Sequence, residues 1–552
     1  MGKTAFPRTA AGIVSLSLLS SLALPIQGSP AEASGRLTGA DSKIAHSRFV
    51  RWMSGPAQRV MQYIAGYKPT TATEKTVPGS QGLTAALLAP VGPNVRVNDP
   101  AGDGIGDADM TTQSEASLAA SGSNIVVGYN DDGRSSPFLK AADDLTGYSW
   151  SSDGGVSWHD GALPNPDPGI NIGDPVVAAD RSGRFYLATL DFDLRRLGIA
   201  VAVGRSEDGG QTFQTPKVVS VNAGISFTNR SFREIDADKP WMIVGRDPAI
   251  SSHDIVYVGW TEFFVIESRH RFAFGSRIVV SRSLDAGETW SRPRPVVVEP
   301  GESPQRPHHA QFVNGVSLSA SPRGRLFVGW EEFVDTSRDF TFAGRREWLA
   351  RSFDAGSSFS GPHRVASPSP IGSLPTLICS NVLSFGASKL VRVQEFPSLG
   401  VGPKADVYMA FDADTRSGPV VRVARSSDGG RSWFIKTVSP AGGFMPALAA
   451  DAGGVDVLYY QRAAHHRLKV AVARSTDGFI YSTSDVSSTS FQVPYTFPPF
   501  DPFIAPCYMG DYNGASRAGG TLYAAWGDNR DTVVNAFWPG GRVDPDVFFT
   551  KS

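Results

Sequence analysis

Ser426-Ser-Asp-Gly-Gly-Arg-Ser-Trp433 is one copy of a short pattern that recurs along this 552-residue chain. The common form is Ser-x-Asp-x-Gly-x-Ser/Thr followed by an aromatic residue. The complete copies are Ser151–Trp158, Ser206–Phe213, Ser283–Trp290, Ser352–Phe359 and Ser426–Trp433, and a shortened copy is Ser475–Gly478. Because a single short match arises easily by chance and five full matches do not, the pattern indicates a repeated structural unit.

Each residue type in the pattern has a local role in a tight turn. The Asp carboxylate can accept backbone N–H bonds, and the Gly can adopt a positive φ at little cost. The aromatic ring can fold under the turn and become buried. Strand-like runs precede three copies, at 199–203, 278–281 and 421–424. We therefore predict six hairpin turns, whose structural carboxylates are Asp153, Asp208, Asp285, Asp354, Asp428 and Asp477.

The pattern resembles the Asp-box, the bacterial neuraminidase repeat of sialidases and related β-propellers. The resemblance implies an all-β propeller in which these turns lie at the periphery, on the face away from the ligand. It therefore implies a fold and leaves the chemistry open. We refer to the six copies in this chain as the repeat turns.

A second recurring element sets the number of structural units. It is a short aromatic strand that ends in polar residues, and its copies are 125–130, 185–191, 256–262, 326–331, 407–412, 457–461 and 522–528. Each copy follows a smaller apolar run, so one unit consists of strands A and B, a longer loop, strand C, a repeat turn and strand D. Four-stranded units at this spacing predict a seven-bladed β-propeller. A six-bladed ring, as in sialidases, is the alternative.

The last unit has no strand D of its own, because the chain ends after a strand C at 546–550. The stretch 94–98 precedes the first unit and alternates as a strand does. We predict that 95–97 pairs with 547–550 and closes the ring, which removes an exposed sheet edge. The propeller domain would then occupy residues 94–552.

The N-terminal region has the features of an export signal followed by a pre-domain segment. Lys3 and Arg8 precede an uncharged apolar run at 10–25, and small residues follow at 31–33. These features predict a signal peptide over 1–33 and a secreted or periplasmic protein. Apolar residues at helical spacing between 42 and 67 predict one or two short helices, and 68–93 has the composition of a linker.

Composition argues against several classes of partner. The formal net charge is −1 and no basic run occurs, so we expect no nucleic-acid-binding surface. No segment after the signal is long and apolar enough to span a membrane. Cys379 and Cys507 are the two cysteines; they can pair in an exported protein, and the sequence leaves this open. We expect a monomer that requires no cofactor.

Strand direction predicts which residues face the mouth of the propeller. Strands alternate within a blade, so A–B turns share a face with the repeat turns, and strand A starts and strand B ends share the other face. The polar strand A starts include Gln113-Ser-Glu115, Asp174, Asp238-Lys239-Pro-Trp241 and Asp511-Tyr512. The polar strand B ends include Glu262, Glu331, Arg462 and Arg530. Because the innermost strands converge, we predict a small central site that holds carboxylates and arginines.

The resemblance to sialidases implies a specific chemistry for such a mouth. That family binds a sugar carboxylate with three arginines, uses a Tyr activated by a Glu as nucleophile, and uses an Asp as acid/base. The candidates are Tyr512 as nucleophile, Glu262 or Glu331 as its partner, and Asp238 as acid. The candidate substrate-binding residues are Arg233, Arg462, Arg530, Lys239, Trp241 and Asp174. The family's Phe/Tyr-Arg-Ile-Pro motif is absent, and the nearest match is Phe232-Arg-Glu-Ile235, so no role is carried over by motif.

Three functional hypotheses follow, and whether the chain is an enzyme stays open among them. The first is a glycan-active protein, an exo-glycosidase of the sialidase type that acts at the mouth. The second is a non-catalytic propeller that binds a glycan, peptide or protein there, which the missing arginine motif and the extra blade favour. The third is a scaffold stabilised by Ca²⁺, since the loop at 99–109 is dense in carboxylates.

Overall fold

The structure, a computed structural model, describes residues 92–99, 104–105, 108–109, 112–131, 145–228, 231–268, 271–300, 310–335, 342–372, 381–386, 389–493, 507–534 and 539–552. The predicted signal peptide and nearly all of the predicted helical segment and linker lie outside these residues. The described chain is β-strand and turn, with single-turn 3-10 helices at Pro403–Ala405 and Ala464–His466. Within it, no helix has the length and apolarity to cross a membrane.

Seven antiparallel blades form the fold, and we name their strands A to D from the axis outward. Blade 1 is Gln113–Ser121, Asn124–Asp131, Thr146–Ser151 and His159–Ala162. Blade 2 is Val176–Ala179, Phe185–Asp193, Gly198–Ser206 and Lys217–Val218. Blade 3 is Ser231–Arg246, Asp254–Ser268, Arg271–Ser283 and Arg294–Pro300. Blade 4 is Ala310–Ala320, Leu326–Asp335, Phe342–Ser352 and His363–Ala366.

The remaining blades follow the same plan. Blade 5 is Ser398–Val401, Val407–Ala413, Val420–Ser426 and Phe434–Thr437. Blade 6 is Gly443–Asp451, Gly454–Ala463, Arg467–Ser475 and Ser482–Asp485. Blade 7 is Gly514–Ala518, Thr521–Val533, Arg542–Lys551 and, as strand D, Val95–Arg96. Short additional strands are Gly104–Ile105 with Ala108–Asp109, Gly169–Asn171 on blade 2, Gly224–Thr228 on blade 3, Val382–Ser384 with Leu390–Arg392, and Phe491–Gln492 on blade 6.

The A strands form a closed ring around the axis. Each contacts the A strand of the next blade, including blade 7 against blade 1. The seven-bladed prediction is therefore confirmed, and the six-bladed alternative is wrong. Each blade buries both faces against its neighbours, so apolar side chains fill the space between blades. Trp260, Trp330 and Trp526, from the B strands of blades 3, 4 and 7, are the largest of these and are fully buried.

The ring closes between the two ends of the described chain. Val95 pairs with Phe549, and Arg96 pairs with Phe548. Asn98 extends the joint, since its Nδ2 donates to Oδ1 of Asp546 at 2.8 Å while its Oδ1 accepts the N–H of Val547 at 3.0 Å. The predicted closure is confirmed, and it gives strand C of blade 7 a hydrogen-bonded partner on its outer side.

All six repeat turns share a hydrogen bond from the Ser hydroxyl to the Asp carboxylate, and in the five complete turns the carboxylate also accepts the hydroxyl of the later Ser or Thr. In the first, Ser151 Oγ donates to Oδ1 of Asp153 at 2.8 Å, and the Asp153 carboxylate accepts the N–H of Val156 and both the N–H and the hydroxyl of Ser157. The bonds from Ser157 hold the pKa of Asp153 well below its usual range. The Ser–Asp bond recurs in the other five turns at 2.7–2.9 Å. These carboxylates therefore stabilise turns, as the sequence predicts.

The aromatic residue of a repeat turn packs against the preceding blade. Phe213 meets Tyr148 of blade 1 edge-on, with ring centroids 4.9 Å apart, and Trp158 meets Phe549 of blade 7 at 5.0 Å. Ion pairs on the same face link the A–B turns to the repeat turns: Arg184 reaches Glu207 at 3.3 Å. The mouth is therefore on the opposite face, as strand direction requires.

Substituting Gly155 by alanine should destabilise the protein much more than substituting Gly154. Both glycines have a positive φ, 88° for Gly155 and 77° for Gly154, so alanine is strained at either site by about 1 kcal/mol. A Cβ at Gly155 would also lie 2.4 Å from Cε1 of Phe549, whereas a Cβ at Gly154 would lie 3.0 Å from Nζ at the end of the long Lys551 side chain, which can shift. We expect the free energy of unfolding to fall by about 2–4 kcal/mol for Gly155→Ala and about 1 kcal/mol for Gly154→Ala. Chemical denaturation measures both, and equal losses would contradict the packing argument.

Candidate functional site

The innermost strands begin with irregular backbone at the mouth. The A–B register shifts between Ser114 and Ser117 in blade 1 and between Asp238 and Trp241 in blade 3, with similar shifts in blades 4 and 6. At the mouth ends of the first three blades, the φ angles of Glu115, Asp174 and Lys239 are 56°, 55° and 50°. Left-handed backbone is uncommon in residues other than glycine and clusters at functional sites.

One residue of each blade lies at this innermost position. Three serines show which positions of different A strands are equivalent: Ser117 of blade 1, Ser317 of blade 4 and Ser398 of blade 5. In each case the serine hydroxyl accepts a hydrogen bond from a backbone N–H of the next blade. The innermost residue comes two positions earlier. By this equivalence the seven are Glu115, Asp174, Lys239, Gly315, Phe396, Met445 and Tyr512. Blades 1 to 3 and 7 therefore supply charged or hydroxyl groups, and blades 4 to 6 supply a glycine and two apolar side chains.

The ionisable residues at this level form what we call the central cluster. Its members are Glu115, Asp174, Asp238, Lys239, Arg392, Tyr508, Asp511 and Tyr512, and each is at most 6% exposed. Burying charge is costly, and ionisable groups gathered in this way are a common feature of functional sites. The cluster joins four acidic groups, two cations and two tyrosines, which makes it the candidate site.

A tyrosine–glutamate pair lies within the cluster. The Tyr508 hydroxyl donates a short hydrogen bond to Oε1 of Glu115, and the same oxygen accepts the N–H of Asp511 at 3.0 Å. Asn130 Nδ2 contacts the Tyr508 hydroxyl at 3.4 Å. Burial, followed by the charge of Glu115, raises the pKa of Tyr508 well above its usual value. The hydroxyl therefore keeps its proton, and Glu115 is placed to receive it.

Arg392 faces the same pair. Its Nη2 donates to Oδ2 of Asp511 at 2.8 Å, and its Cζ lies 5.5 Å from the ring centroid of Tyr508. The backbone N–H of Arg392 donates to the carbonyl of Cys507 at 2.8 Å. Cys507 is disulfide-bonded, and Cys379 lies outside the described residues. Because Cys507 precedes Tyr508 in the chain, this backbone hydrogen bond holds Arg392 and Tyr508 close to each other.

Lys239 lies among aromatic rings at the centre of the cluster. Its Nζ is 3.5 Å from the ring centroid of Tyr512 and 4.6 Å from that of Trp241. Burial lowers the pKa of Lys239 to about 8, and the nearby carboxylates, Asp174 first, oppose this change. The ammonium is therefore stabilised by ring faces and by acidic neighbours instead of by water.

Two carboxyl groups of the cluster hold protons more readily than ordinary aspartates. Burial raises the pKa of Asp174 well above its usual value, and the charges of Glu115 and Asp238 add to the effect. Burial also raises the pKa of Asp511 to about 7, against the attraction of Arg392. Groups with such pKa values can act as acids or bases near neutral pH.

Several polar atoms of the cluster have no hydrogen-bond partner within the part of the chain that the structure describes. They include both carboxylate oxygens of Asp174, Oε2 of Glu115 and Nζ of Lys239. Leaving buried polar atoms unpaired costs free energy. Water or a ligand that carries several hydroxyl groups can pair with them, because a hydroxyl both donates and accepts.

The structure brings five of the residues predicted from the sequence to the centre. Asp174, Asp238, Lys239 and Tyr512 belong to the cluster, and Trp241 meets Tyr512 edge-on at 6.1 Å between ring centroids. The predicted pairing of Tyr512 with a glutamate is wrong, because its hydroxyl donates to a backbone carbonyl, that of residue 175, at 2.9 Å.

Both glutamates predicted to pair with Tyr512 bind arginines of their own blades. Glu262 pairs with Arg277 at 2.5 Å, and Glu331 pairs with Arg345 at 3.0 Å. Each pair joins strand B to strand C within one blade. These glutamates therefore serve as salt bridges of blades 3 and 4.

The three arginines predicted to bind a carboxylate do not converge. Arg233 is exposed, Arg462 donates to a backbone carbonyl at 2.7 Å, and Arg530 pairs with Asp528 at 2.5 Å. The arginine that reaches the cluster is Arg392, which the sequence does not single out. It comes from the short hairpin that precedes blade 5, where no repeat pattern marks it.

Glu115 and Asp511 are among the strand A starts that the sequence predicts at the mouth, but neither is predicted to bind a substrate or to react with it. Tyr508 lies on the connection into blade 7, and the sequence contains no comparable signal for it.

The Ca²⁺ prediction concerns the loop at 99–109, most of which lies outside the described residues. Among the residues that are described, no group of three or more His, Cys, Asp or Glu side chains is arranged to hold a metal ion. The calcium site stays a prediction.

Fold and site together define a seven-bladed β-propeller with ionisable groups buried at its centre. Similar solved structures include an α-L-arabinanase of Penicillium chrysogenum complexed with arabinobiose, at 13% identity and a TM-score of 0.41, covering 70% of this chain and 98% of that chain. An intramolecular trans-sialidase of Ruminococcus gnavus matches at 12% identity and a TM-score of 0.37, covering 68% and 93%. An endosialidase of phage phi92 matches at 9% identity and a TM-score of 0.41, covering 83% and 68%. No family model and no curated protein matches the chain.

Proposed function

We propose that this chain is a glycan-active enzyme, a glycoside hydrolase that acts at the central cluster. The observation that carries the proposal is the buried hydrogen bond from Tyr508 to Glu115, beside Arg392 and in the same cluster as Asp174, a carboxyl group whose pKa is raised by burial. The resemblance of the repeat turns to the Asp-box of sialidases supports it, because that family uses a tyrosine activated by a glutamate.

Each group has a role in the proposed reaction. Tyr508 attacks the anomeric carbon while its proton passes to Glu115. Asp174, whose pKa is raised by burial, donates a proton to the departing oxygen. In the second half, water attacks the anomeric carbon and loses its proton to the Asp174 carboxylate, and Tyr508 leaves and recovers its proton from Glu115. The configuration at the anomeric carbon would be retained.

Charge in the cluster indicates the kind of sugar. Arg392 and Lys239 can attract a carboxylate on the substrate. The unpaired oxygens of Asp174 and Glu115 can accept hydrogen bonds from sugar hydroxyls. Asp511 already binds Arg392, so a substrate carboxylate would share or displace that partner. We therefore favour a glycan whose terminal sugar carries a carboxylate.

The test is release of a fluorophore from a panel of aryl glycosides that includes sialosides and uronides as well as neutral sugars. We expect turnover of at least one acidic glycoside, and we expect Glu115→Gln to abolish it because the proton acceptor is lost. Absence of turnover across the panel would contradict the proposal, and so would full activity of Glu115→Gln.

Binding without catalysis is a second candidate function, favoured by the pairing of arginines toward the mouth. Arg277, Arg345 and Arg346 bind glutamates of their own blades, and Arg530 binds Asp528. Arginines that are paired in this way stabilise their own blades and are less available to bind a substrate carboxylate. Binding to a glycan array without hydrolysis of the bound glycans would support this second function.

We also propose that the protein is exported, on the basis of the charged start and apolar run at its N-terminus. Intact-mass measurement of the protein recovered outside the cytoplasm should show a chain that has lost about 33 residues. Recovery of the uncleaved chain in the cytoplasm would contradict this.

A further inference from the structure

The sixth repeat turn differs from the other five in the two residues that precede its aromatic residue. After the second Gly position, the complete turns carry Val156-Ser157, Gln211-Thr212, Glu288-Thr289, Ser357-Ser358 and Arg431-Ser432. The sixth turn carries Phe479-Ile480 instead, and Tyr481 takes the place of the aromatic residue that packs under the turn. Phe479 is 47% exposed and Ile480 is 73% exposed. A pair that is polar in most turns is therefore apolar in this one.

Phe479 and Ile480 form an apolar surface with Phe434, and we call these three residues the outer patch. Phe434 begins strand D of blade 5 and is 57% exposed, and its ring centroid lies 6.4 Å from that of Phe479. Lys436 Nζ donates to the carbonyl of Phe479 at 2.7 Å, and the Arg425 guanidinium lies 3.5 Å from the Phe479 ring centroid. The patch is thus held in place and remains exposed.

The side chains at the corresponding junction, between blades 2 and 3, are of a different kind. There Arg205 bridges Glu207 at 3.0 Å and Glu288 at 2.5 Å, and Lys217 binds Glu288 at 2.7 Å. Charged side chains therefore cover that junction, while rings lie at the junction of blades 5 and 6. Exposed apolar groups gathered at one place indicate a contact surface.

The described chain begins on the blade next to the one that carries the sixth repeat turn. The N–H of Gly92 donates to the carbonyl of Lys551 at 3.3 Å, at the repeat-turn end of strand C of blade 7. The following residue, Ser552, accepts a hydrogen bond from Arg474 of blade 6. Arg474 immediately precedes the sixth repeat turn. Gly92, the first described residue, therefore lies on the repeat-turn face, beside the blade that carries the sixth repeat turn.

Residues 42–67 have a sequence suited to binding the outer patch. Its apolar residues fall at helical spacing and include Phe49, Trp52, Met53, Val60 and Met61. A short amphipathic helix is marginal alone and needs a surface to cover its apolar face. A flexible coil as long as 68–91 has an end-to-end distance of roughly 25–30 Å, which is enough to reach a neighbouring blade. A tether of this length would also raise the effective concentration of the segment at the patch.

We infer that the predicted helix within 42–67 docks on the outer patch, so that the pre-domain segment covers the sixth repeat turn. The outer patch lies on the face opposite the mouth, so this docking is independent of the proposed function.

Hydrogen exchange read by mass spectrometry tests it, on the protein with residues 42–67 present. The informative variant is Phe479→Gln/Ile480→Thr, which introduces the polar pair of the second repeat turn. We expect the amides of 42–67 to exchange at least about tenfold faster in this variant than in the wild type. The matched control is Val156→Ser, which removes an exposed apolar side chain from the first turn and should leave exchange at 42–67 unchanged.

Equal exchange of 42–67 in the wild type and the double variant would overturn the inference, whether or not the segment is protected. Light scattering identifies the rival occupant. If the wild type associates as its concentration rises, the double variant does not, and 42–67 is unprotected, the patch binds a second copy of the chain and the inference fails. An unchanged melting temperature of the double variant shows that faster exchange at 42–67 does not arise from unfolding.

Discussion

Tyr508→Phe will lower kcat/KM for the best glycoside substrate by at least about 10³-fold, whereas Tyr512→Phe will lower it by less than about tenfold. Both tyrosines are buried in the central cluster, and the substitution removes one oxygen from each. Their hydroxyls have different partners: Tyr508 donates to the Glu115 carboxylate, and Tyr512 donates to a backbone carbonyl at 2.9 Å. A carboxylate can accept the proton that a nucleophile must lose, and a carbonyl cannot.

Each variant is the control for the other. Tyr508→Phe removes a buried hydroxyl from a ring beside Arg392, and Tyr512→Phe removes one from a ring beside Lys239. Steady-state kinetics on the substrate identified in the glycoside panel give both values. Thermal melting checks that the two proteins are equally folded. A large loss in Tyr512→Phe with an active Tyr508→Phe would restore the assignment that the sequence suggests and would contradict the Tyr508–Glu115 pair.

Arg345→Met is expected to lower the free energy of unfolding by about 3–5 kcal/mol at neutral pH, because it leaves buried carboxylates without their cation. Arg345 pairs with Glu331 at 3.0 Å, with Glu347 at 2.7 Å and with Glu395 at 2.7 Å. Asp412 adds a fourth acidic neighbour. All five side chains belong to residues that are at most 4% exposed, at the junction of blades 4 and 5.

The loss should be larger at pH 8 than at pH 5. Burial raises the pKa of Glu331 to about 7, from an ordinary value of 4.5, and it also raises the pKa values of Glu347 and Asp412 well above their ordinary values. The folded state therefore binds more protons than the unfolded state, so this cluster is most favourable below about pH 4.5 and loses stability as the pH rises through 7. Removing the guanidinium matters most where the carboxyl groups are ionised.

Denaturant unfolding of the wild type and the variant at both pH values measures this dependence. The matched control is Arg346→Met, whose side chain is 36% exposed and binds Glu332 on the same strand pair. A partly exposed ion pair contributes less than about 1 kcal/mol. Equal losses in the two variants, or a larger loss at pH 5, would contradict the account of the buried cluster.

The candidate site was partly accessible to sequence reasoning. Asp174, Asp238 and Lys239 follow from strand direction and from the polar residues at strand A starts. Arg392 and Tyr508 do not, because they lie on connections whose paths no periodicity describes. The error over Glu262 and Glu331 has a related cause. Both stand at strand B ends, and whether such a glutamate faces the axis or an arginine of strand C depends on register and twist, which the pattern leaves unspecified.

The blade architecture was readable from the chain because its signals are local. A repeat turn is held by hydrogen bonds between residues two to four positions apart, such as Ser151 to Asp153 and Asp153 to Ser157. An aromatic strand can be recognised within a few residues, and counting these strands yields the number of blades. The site depends on contacts of another kind. Tyr508 and Glu115 are separated by 393 positions and meet only when the seventh blade closes against the first. Which carboxyl group faces which cation is therefore set by the closed ring, where burial and proximity together select the protonated groups.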